Sequence, residues 1–274
     1  MERAEIGGSA GLNPVSEFSD PAGKYRLVSQ GAFPAVEVHV SQEDGVHVEL
    51  GGMLTMSEHV RMGLAGGGGT CCDKVMRACC AGEMPWVSTF HGTGAPSPSP
   101  ATVLVAPGMP GEFCLLHVDC PEERRSEGTG SWRVSPGAFL ASDPMVQVGT
   151  QVQSCGKICC GEPPVLLQAY GVGRIVCNAY GAVMRYDLGE GERKTFDNGM
   201  LVAWSGDMEY SLECASPSWI TSCISGEGMV CKFIGPGTVY VHTRAVGGLA
   251  SAIARFLPTQ ISPPKGGGEA GGGG

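Results

Sequence analysis

Cysteine is the residue type in this chain with the clearest capacity to bind metal. The chain contains 13 cysteines, and two adjacent pairs, Cys71-Cys72 and Cys79-Cys80, lie close together. Structural zinc sites use cysteines a few residues apart on turns, whereas adjacent cysteines project in different directions. The spacing therefore favours cysteine as a small buried apolar side chain over cysteine as a metal ligand. The odd count favours a reducing compartment without a disulfide framework.

Histidine offers a second possible metal site, of the kind found in cupins. His39, His47 and Glu49 lie near one another in the sequence, but a turn separates the two histidines and no His-x-His occurs. A cupin site needs two histidines two residues apart on one strand, with a glutamate further on. The pattern favours solvent-facing residues of a hairpin.

Nucleophilic and phosphate-binding motifs are missing from the sequence. No Gly-x-Ser-x-Gly is present. The glycine run Gly66–Gly69 is followed by Thr70 without the lysine of a phosphate-binding loop. The sequence therefore predicts no catalytic residue, no cofactor site and no metal ligand.

The charge balance narrows the classes of partner. The formal net charge is -9, and no lysine- or arginine-rich run occurs. Nucleic-acid binding needs a cationic surface, so it is not expected. No apolar run of ~18 residues is present, so no membrane span is expected. The N-terminal sequence lacks the apolar core of a signal peptide, which favours a cytoplasmic protein.

Three recurring blocks dominate the organisation of the chain. They read GEMPWVSTFHGTG, GEPPVLLQAYGVG and GEGMVCKFIGPG, each running from Gly-Glu through an apolar stretch to Gly-x-Gly. We interpret the apolar stretch as a strand and Gly-x-Gly as a turn that returns the chain, because glycine supplies positive φ. The predicted turn residues are Gly82, Glu83, Gly92, Gly94, Gly161, Glu162, Gly171, Gly173, Gly226, Glu227, Gly235 and Gly237.

Alternating apolar residues between glycine and proline turns predict an all-β fold, a sandwich or barrel. The chain has 44 glycines and 19 prolines, and only 16% of its residues are charged. The expected strands include Thr102–Ala106, Phe113–Val118, Gly137–Ser142, Val146–Val152, Val165–Tyr170, Arg174–Tyr180, Ala182–Asp187, Leu201–Trp204, Met208–Leu212, Met229–Ile234 and Thr238–Thr243.

The C-terminal part changes character. Leu249, Ile253 and Leu257 have helical spacing within Ala245–Leu257, and Pro258 follows. These three residues are the predicted interface. We expect a flexible leader over residues 1–25, an N-terminal β half over 26–133, a C-terminal β half with the helix over 134–258, and a glycine-rich tail over 259–274.

Several stretches resemble one family in the same order. They are GVHVELGGMLTM, PGAFLASDP, AYGAV, FDNGMLVAW and GEGMVCKFIGPGTVYVHTRAVGGLA, and the resemblance spans roughly Phe33 to Leu257. The chain resembles the altered-inheritance-of-mitochondria protein 24 family, also described as tryptophan-RNA-binding-attenuator-like proteins of unknown function.

The resemblance implies a double-stranded β-helix or β-sandwich built by internal duplication. It also implies homo-oligomers, trimers among them, and a link to mitochondrial organisation, so mitochondria are the alternative location. No catalytic residues are implied. We expect a non-enzymatic structural or interaction protein that self-assembles. The alternative is a cupin-like β-helix protein that binds a small molecule or a metal.

Overall fold

The computed structural model describes residues 13–14, 18, 20–28, 33–66, 86–94, 99–152, 165–214, 229–254 and 256. Within these ranges the chain forms antiparallel strands and a short C-terminal helix, which confirms the all-β prediction and the predicted helix. The elements are β1 Asn13–Pro14, β2 Tyr25–Leu27, β3 Val36–His39, β4 Val46–Val48, β5 Met53–Met56, β6 Val60–Gly66, β7 Trp86–Gly92, β8 Thr102–Val105, β9 Phe113–Cys120, β10 Trp132–Val134, β11 Phe139–Ser142, β12 Val146–Val152, β13 Val165–Asn178, β14 Val183–Leu188, β15 Arg193–Asp197, β16 Leu201–Ser205, β17 Glu209–Cys214, β18 Met229–Ile234, β19 Gly237–His242 and α1 Val246–Ala254.

The strands form one large sheet and two small ones. The large sheet has the order β1-β14-β19-β16-β10-β13-β11-β4-β7-β6, and β9 and β12 also pair with β13. The small sheets have the orders β2-β3-β8-β5 and β15-β18-β17. Strands adjacent in sequence therefore often belong to different sheets.

The same pairing scheme occurs in three consecutive segments: segment 1 (residues 36–105), segment 2 (113–178) and segment 3 (183–242). In segment 1, β8 pairs with β3 and β5, while β7 pairs with β4 and β6. In segment 3, β19 pairs with β14 and β16, while β18 pairs with β15 and β17. In segment 2 the single strand β13 replaces the last two strands of the other segments. Its first half pairs with β10 and β12, and its second half pairs with β9 and β11.

A β-bulge fixes which residues of the three segments correspond. The third strand of each segment has an irregular register against the last strand, and the irregularity falls at the same place each time. A bulge places two residues of one strand opposite one residue of its partner, so it marks an unambiguous position. The bulges lie between Met53 and Thr55, between Phe139 and Ala141, and between Leu201 and Ala203.

Neighbouring segments are joined by hydrogen-bonded strands, which we call seams. The third strand of segment 2, β11, pairs with the second strand of segment 1, β4. In the same way β16 of segment 3 pairs with β10 of segment 2. Each segment contributes two groups of three paired strands, which we call half-sheets. Each seam joins a half-sheet of one segment to a half-sheet of the next, so that the two form one continuous sheet.

Three clusters of buried side chains fill the spaces between the sheets. One centres on segment 1 and includes Phe90, one on segment 2 and includes Leu167, and one on segment 3 and includes Phe233. In the third cluster the rings of Tyr210 and Phe233 stack with centroids 5.7 Å apart. Each large apolar side chain buried in this way contributes about 1.5–3 kcal/mol relative to an exposed one.

At Gly171 and Gly173 the chain continues as one strand, where the sequence predicts a turn. Gly171 and Gly173 lie inside the continuous strand β13, with φ of 108° and 144°. Val165–Tyr170 and Arg174–Tyr180 are therefore parts of one bent strand. The bend keeps both edges hydrogen-bonded while the strand exchanges β10 and β12 for β11 and β9 as neighbours.

The other described Gly-x-Gly copies also avoid a hairpin. Gly92 ends β7, Gly94 has φ of 72°, and β8 belongs to a different sheet from β7. Gly235 directly follows β18, and Gly237, with φ of 153°, is the first residue of β19, which belongs to a different sheet from β18. Gly82, Glu83, Gly161, Glu162, Gly226 and Glu227 lie outside the described residues.

Two of the predicted domain boundaries, near Arg133 and near residue 25, fall at residues that take part in hydrogen-bonded or ion-paired structure. The predicted division near Arg133 falls within β10, which pairs with β13 and β16, and the two-half organisation stays a prediction. The predicted leader over residues 1–25 includes Asp20, whose side chain is only 1% exposed and binds Arg174, and the leader stays a prediction.

Replacement of Gly173 by alanine tests the importance of the bend. A Cβ at this position would lie 2.9 Å from Cβ of Asp143, and a non-glycine residue at such a φ is strained. We expect Gly173→Ala to lower the free energy of unfolding by about 1–3 kcal/mol. The midpoint of urea denaturation measures the loss. The control is Gly108→Ala, since a Cβ there meets nothing within 4 Å. Equal midpoints for the two variants would contradict the assigned role of the bend.

Candidate functional site

The described cysteines are part of the buried core. Cys114, Cys120, Cys177 and Cys231 are buried and form no disulfide, and Cys114 lies opposite Cys177 between β9 and β13. Burial raises the pKa of the Cys120 thiol. The adjacent cysteine pairs Cys71-Cys72 and Cys79-Cys80 lie outside the described residues.

The histidines of the cupin alternative belong to separate sheets. His39 lies on β3 opposite Thr102, in a small sheet. His47 lies on β4 opposite Thr89, in the large sheet. Burial, together with the nearby His91 and Lys24, lowers the pKa of His47, so its ring is neutral at pH 7. In the described part of the chain, no group of three His, Cys, Asp or Glu side chains is placed to hold a metal ion.

A cluster of charged side chains lies beside the bend of β13. It consists of Asp20, Lys24, Tyr25, Asp143 and Arg174, and we call it the ion cluster. Nε of Arg174 lies 2.9 Å from Oδ2 of Asp143, and Nη1 of Arg174 lies 2.7 Å from Oδ2 of Asp20. Nζ of Lys24 lies 2.6 Å from Oδ1 of Asp143, and the Tyr25 hydroxyl donates to the same oxygen at 2.9 Å.

Backbone groups complete the ion cluster. The N–H groups of Lys24 and Tyr25 both donate to Oδ2 of Asp20, each at 2.9 Å. The N–H of Arg174 donates to Oδ2 of Asp143 at 2.9 Å. Lys24 also forms an ion pair with Asp44 and donates to the carbonyl of Gly45. The cluster therefore ties residues 20–25 to segment 1 at Asp44 and to segment 2 at Asp143 and Arg174.

The electrostatics of the ion cluster keep Asp20 and Asp143 ionised and Tyr25 neutral. Burial acts to raise the pKa of Asp143, but hydrogen bonds from Lys24 and Arg174 outweigh it and hold that pKa below the ordinary value. Asp20 behaves in the same way, with the Tyr25 N–H and Arg174 opposing burial. Burial and the Asp143 carboxylate raise the pKa of Tyr25. None of these shifts brings a group toward pH 7, so the arrangement serves as an anchor and does not suit proton transfer.

Sequence reasoning missed the ion cluster, although one signal was present. Arg174 stands between Gly173 and Ile175 at the start of an apolar strand pattern. A charged residue within such a pattern is rarely buried without a partner. The sequence could not identify the partner, because Asp20 is 154 positions away.

The predicted interface helix leaves apolar side chains at the surface. In α1, Leu249 is half-buried, and Ile253 is 48% exposed. Leu257 lies outside the described residues. No helix among the residues that the structure describes is long and apolar enough to cross a membrane.

The two small sheets end in strands that have one described partner each. β5 pairs with β8, and β15 pairs with β18. Leu54 on β5 is 59% exposed, whereas the corresponding Leu140 and Val202 are 0% and 1% exposed. The difference arises because β11 and β16 have a neighbour on both sides and β5 does not.

These features define an all-β protein of layered antiparallel sheets with an anchored N-terminal segment. Residues 25–244 match the mitochondrial biogenesis AIM24 family, and the chain belongs to that family. The match confirms the resemblance inferred from the sequence.

Two bacterial proteins are similar to this chain. An uncharacterized protein of Streptococcus pyogenes serotype M6 is 26% identical over 254 residues, covering 90% of this chain and 96% of the relative. The crystal structure of a Streptococcus pyogenes protein covers 85% of this chain and 99% of its own, with a TM-score of 0.65 and 24% identity. The structural likeness establishes a shared fold.

Neutralisation of Asp143 tests the ion cluster. We expect Asp143→Asn to lower the free energy of unfolding by about 3 kcal/mol at pH 7, since Lys24 and Arg174 lose a buried partner. The folded-state pKa of Asp143 lies below its unfolded-state value. The contribution is therefore fully present above about pH 4 and is lost as pH falls through the folded-state pKa. Urea denaturation at pH 7 and pH 3 should give a smaller difference between variant and wild type at the lower pH.

An exposed ion pair provides the control for this measurement. Glu213 pairs with Lys232 at 2.5 Å, but both side chains are about half exposed. Solvent screens such pairs, so Glu213→Gln should leave the stability little changed. If Asp143→Asn were as stable as Glu213→Gln at pH 7, the anchor role would be contradicted.

Proposed function

We propose that this protein is a non-enzymatic structural protein that self-assembles into a homo-oligomer from copies of a triplicated β unit. The observation that carries the proposal is the strand-pairing scheme shared by segments 1, 2 and 3. In this proposal the unit boundaries lie near residues 106–112 and 179–182 instead of near Arg133. Bulges at corresponding positions support a common origin of the three units, because bulges are specific local features.

The seams support self-assembly. Each unit forms two half-sheets, and within the chain a half-sheet is completed by strands of the next unit. Two half-sheets are not completed in this way by described strands. They are the first half-sheet of segment 1, which ends at β5, and the second half-sheet of segment 3, which ends at β15. Open sheet edges are templates for strand pairing with another chain. The proposal therefore treats assembly as the continuation of a contact already made twice inside the molecule.

The chemistry of the buried polar groups supports a role without catalysis. The ion cluster is saturated by internal hydrogen bonds, and the described cysteines lie in the core. The family description adds a link to mitochondrial biogenesis, which is part of the proposal on the strength of the family alone.

Native mass spectrometry of the full chain, purified without chelators, tests the proposal. We expect a single whole-number multiple of the chain mass with no additional bound mass. A monomer across the micromolar range would overturn self-assembly. Stoichiometric metal or organic ligand would favour the cupin-like alternative, and the paired cysteines, His39 and His47 would then be the residues to mutate.

The apolar stripe of α1 is proposed as a second contact between copies. Leu249 and Ile253 are four residues apart and share one helical face. We expect Leu249→Asp to convert the oligomer to a monomer in gel filtration, since a carboxylate would be buried without a partner. Ala254→Asp adds the same charge to an exposed position away from the stripe and should leave the elution volume unchanged. An oligomer that survives Leu249→Asp would remove the helix from the interface.

A further inference from the structure

The two seams inside the chain have the same register. In the first, Ala141 of β11 lies opposite Val48 of β4, and Ser142 lies opposite His47. In the second, Ala203 of β16 lies opposite Val134 of β10, and Trp204 lies opposite Arg133. By the bulge positions, Ala141 corresponds to Ala203 and Ser142 corresponds to Trp204. The seam is therefore one defined contact, used twice.

A backbone hydrogen bond at the edge of each seam also recurs. The N–H of Glu49 donates to the carbonyl of Leu140 at 2.8 Å. The N–H of Ser135 donates to the carbonyl of Val202 at 2.9 Å. Both donors follow the second strand of a segment directly, and both acceptors lie inside the bulge of the third strand of the next.

Strands for a third seam are present, but they are unpaired with each other in the described part of the chain. β15 is the second strand of segment 3, and β5 is the third strand of segment 1. Residue by residue, Thr55 corresponds to Ala141 and Ala203, because all three follow the bulge. Phe196 corresponds to Val48 and Val134, since four residues separate each from the start of the next strand. The side chain of Phe196 is buried, as theirs are.

We propose that β5 of one copy pairs with β15 of a second copy, in the register of the two internal seams. Thr55 then lies opposite Phe196, and Met56 lies opposite Thr195. The N–H of Asp197 donates to the carbonyl of Leu54, as the recurring hydrogen bond requires. This contact rests on the proposed self-assembly and identifies the surface through which it occurs. The strands β3, β8 and β5 of one copy and β15, β18 and β17 of the other would form one six-stranded sheet, with β2 as an additional strand beside β3.

Exposure and charge both fit this pairing. Leu54 and Met56 are 59% and 41% exposed, which is costly for large apolar side chains on an edge strand, and the pairing would cover them. The exposed Glu58, in the turn that follows β5, would lie near the exposed Arg193 of the other copy. Complementary charges at a contact between two molecules favour that arrangement of the partners.

The contact is heterologous, because each copy offers one β5 edge and one β15 edge. Such contacts build a closed ring when the rotation between copies returns to its start, and an open chain when it does not. A copy with one edge blocked can still bind one partner through its other edge. That property separates this contact from a symmetric one.

Three variants of the full chain test the contact. Met56→Arg places a cation on β5 opposite Thr195, with Arg193 of the partner edge as a diagonal neighbour on the same face. Thr195→Glu places an acid on β15 close to Glu58. The double variant places Arg and Glu directly opposite each other. Leu64→Arg on β6, an exposed residue of a different edge strand, is the control. Native mass spectrometry counts the subunits, and urea denaturation of each variant verifies that it is folded.

We expect loss of the oligomer in each single variant and recovery of the oligomer in the double variant. A mixture of the two single variants should assemble with both variants in equal numbers, because unchanged edges meet at one contact and the introduced cation meets the introduced acid at the next. Leu64→Arg should assemble as the wild type does. If both single variants remain fully assembled, the β5–β15 contact is overturned while self-assembly stands. If the mixture stays monomeric while the wild type is assembled, the head-to-tail arrangement is overturned. A monomeric wild type overturns the contact and the proposed function together.

Discussion

Hydrogen bonding across the seams is the interaction on which the rest of this structure depends. A strand buried on both faces cannot leave its N–H and C=O groups without partners, since an unsatisfied buried polar group costs free energy. The central strand β13 meets this requirement along its whole length by exchanging neighbours at Gly171–Gly173. β4 and β10 meet it by accepting β11 and β16 from the next segment. The layers and their cores follow from that constraint.

The same constraint explains why a charged cluster is buried beside the bend. The chain bends sharply at Gly173, and a Cβ there would meet Asp143, so the two positions are packed against each other. Asp143 binds the N–H of Arg174 directly after the bend and is itself neutralised by Arg174 and Lys24. Asp20 then balances Arg174 and brings the N-terminal segment onto the sheet. One backbone requirement thus recruits residues from three distant parts of the chain.

An architecture of linked half-sheets fits the assembly that we propose. The charged groups of the ion cluster bind one another inside the protein. Its distinctive surfaces are strand edges and exposed apolar residues such as Leu54 and Met56. Membership of the mitochondrial biogenesis AIM24 family and the streptococcal likeness agree with this fold and assign no chemistry to it.

The sequence by itself determined the strands, the C-terminal helix and the family, because alternation, helical spacing and the order of glycine-rich motifs are local properties. Two predicted strands, Val146–Val152 and Met229–Ile234, have the observed bounds, and most of the others differ from them by one or two residues at an end. The glycines at positions 94, 171, 173 and 237 also correctly predicted residues with positive φ. Only the tertiary structure decided that Gly171 and Gly173 lie inside one continuous strand, since that depends on which neighbours lie on each edge. It also decided that Asp20 meets Arg174 and that β5 and β15 each have one strand partner within the described residues, because both outcomes depend on contacts between residues far apart in the chain.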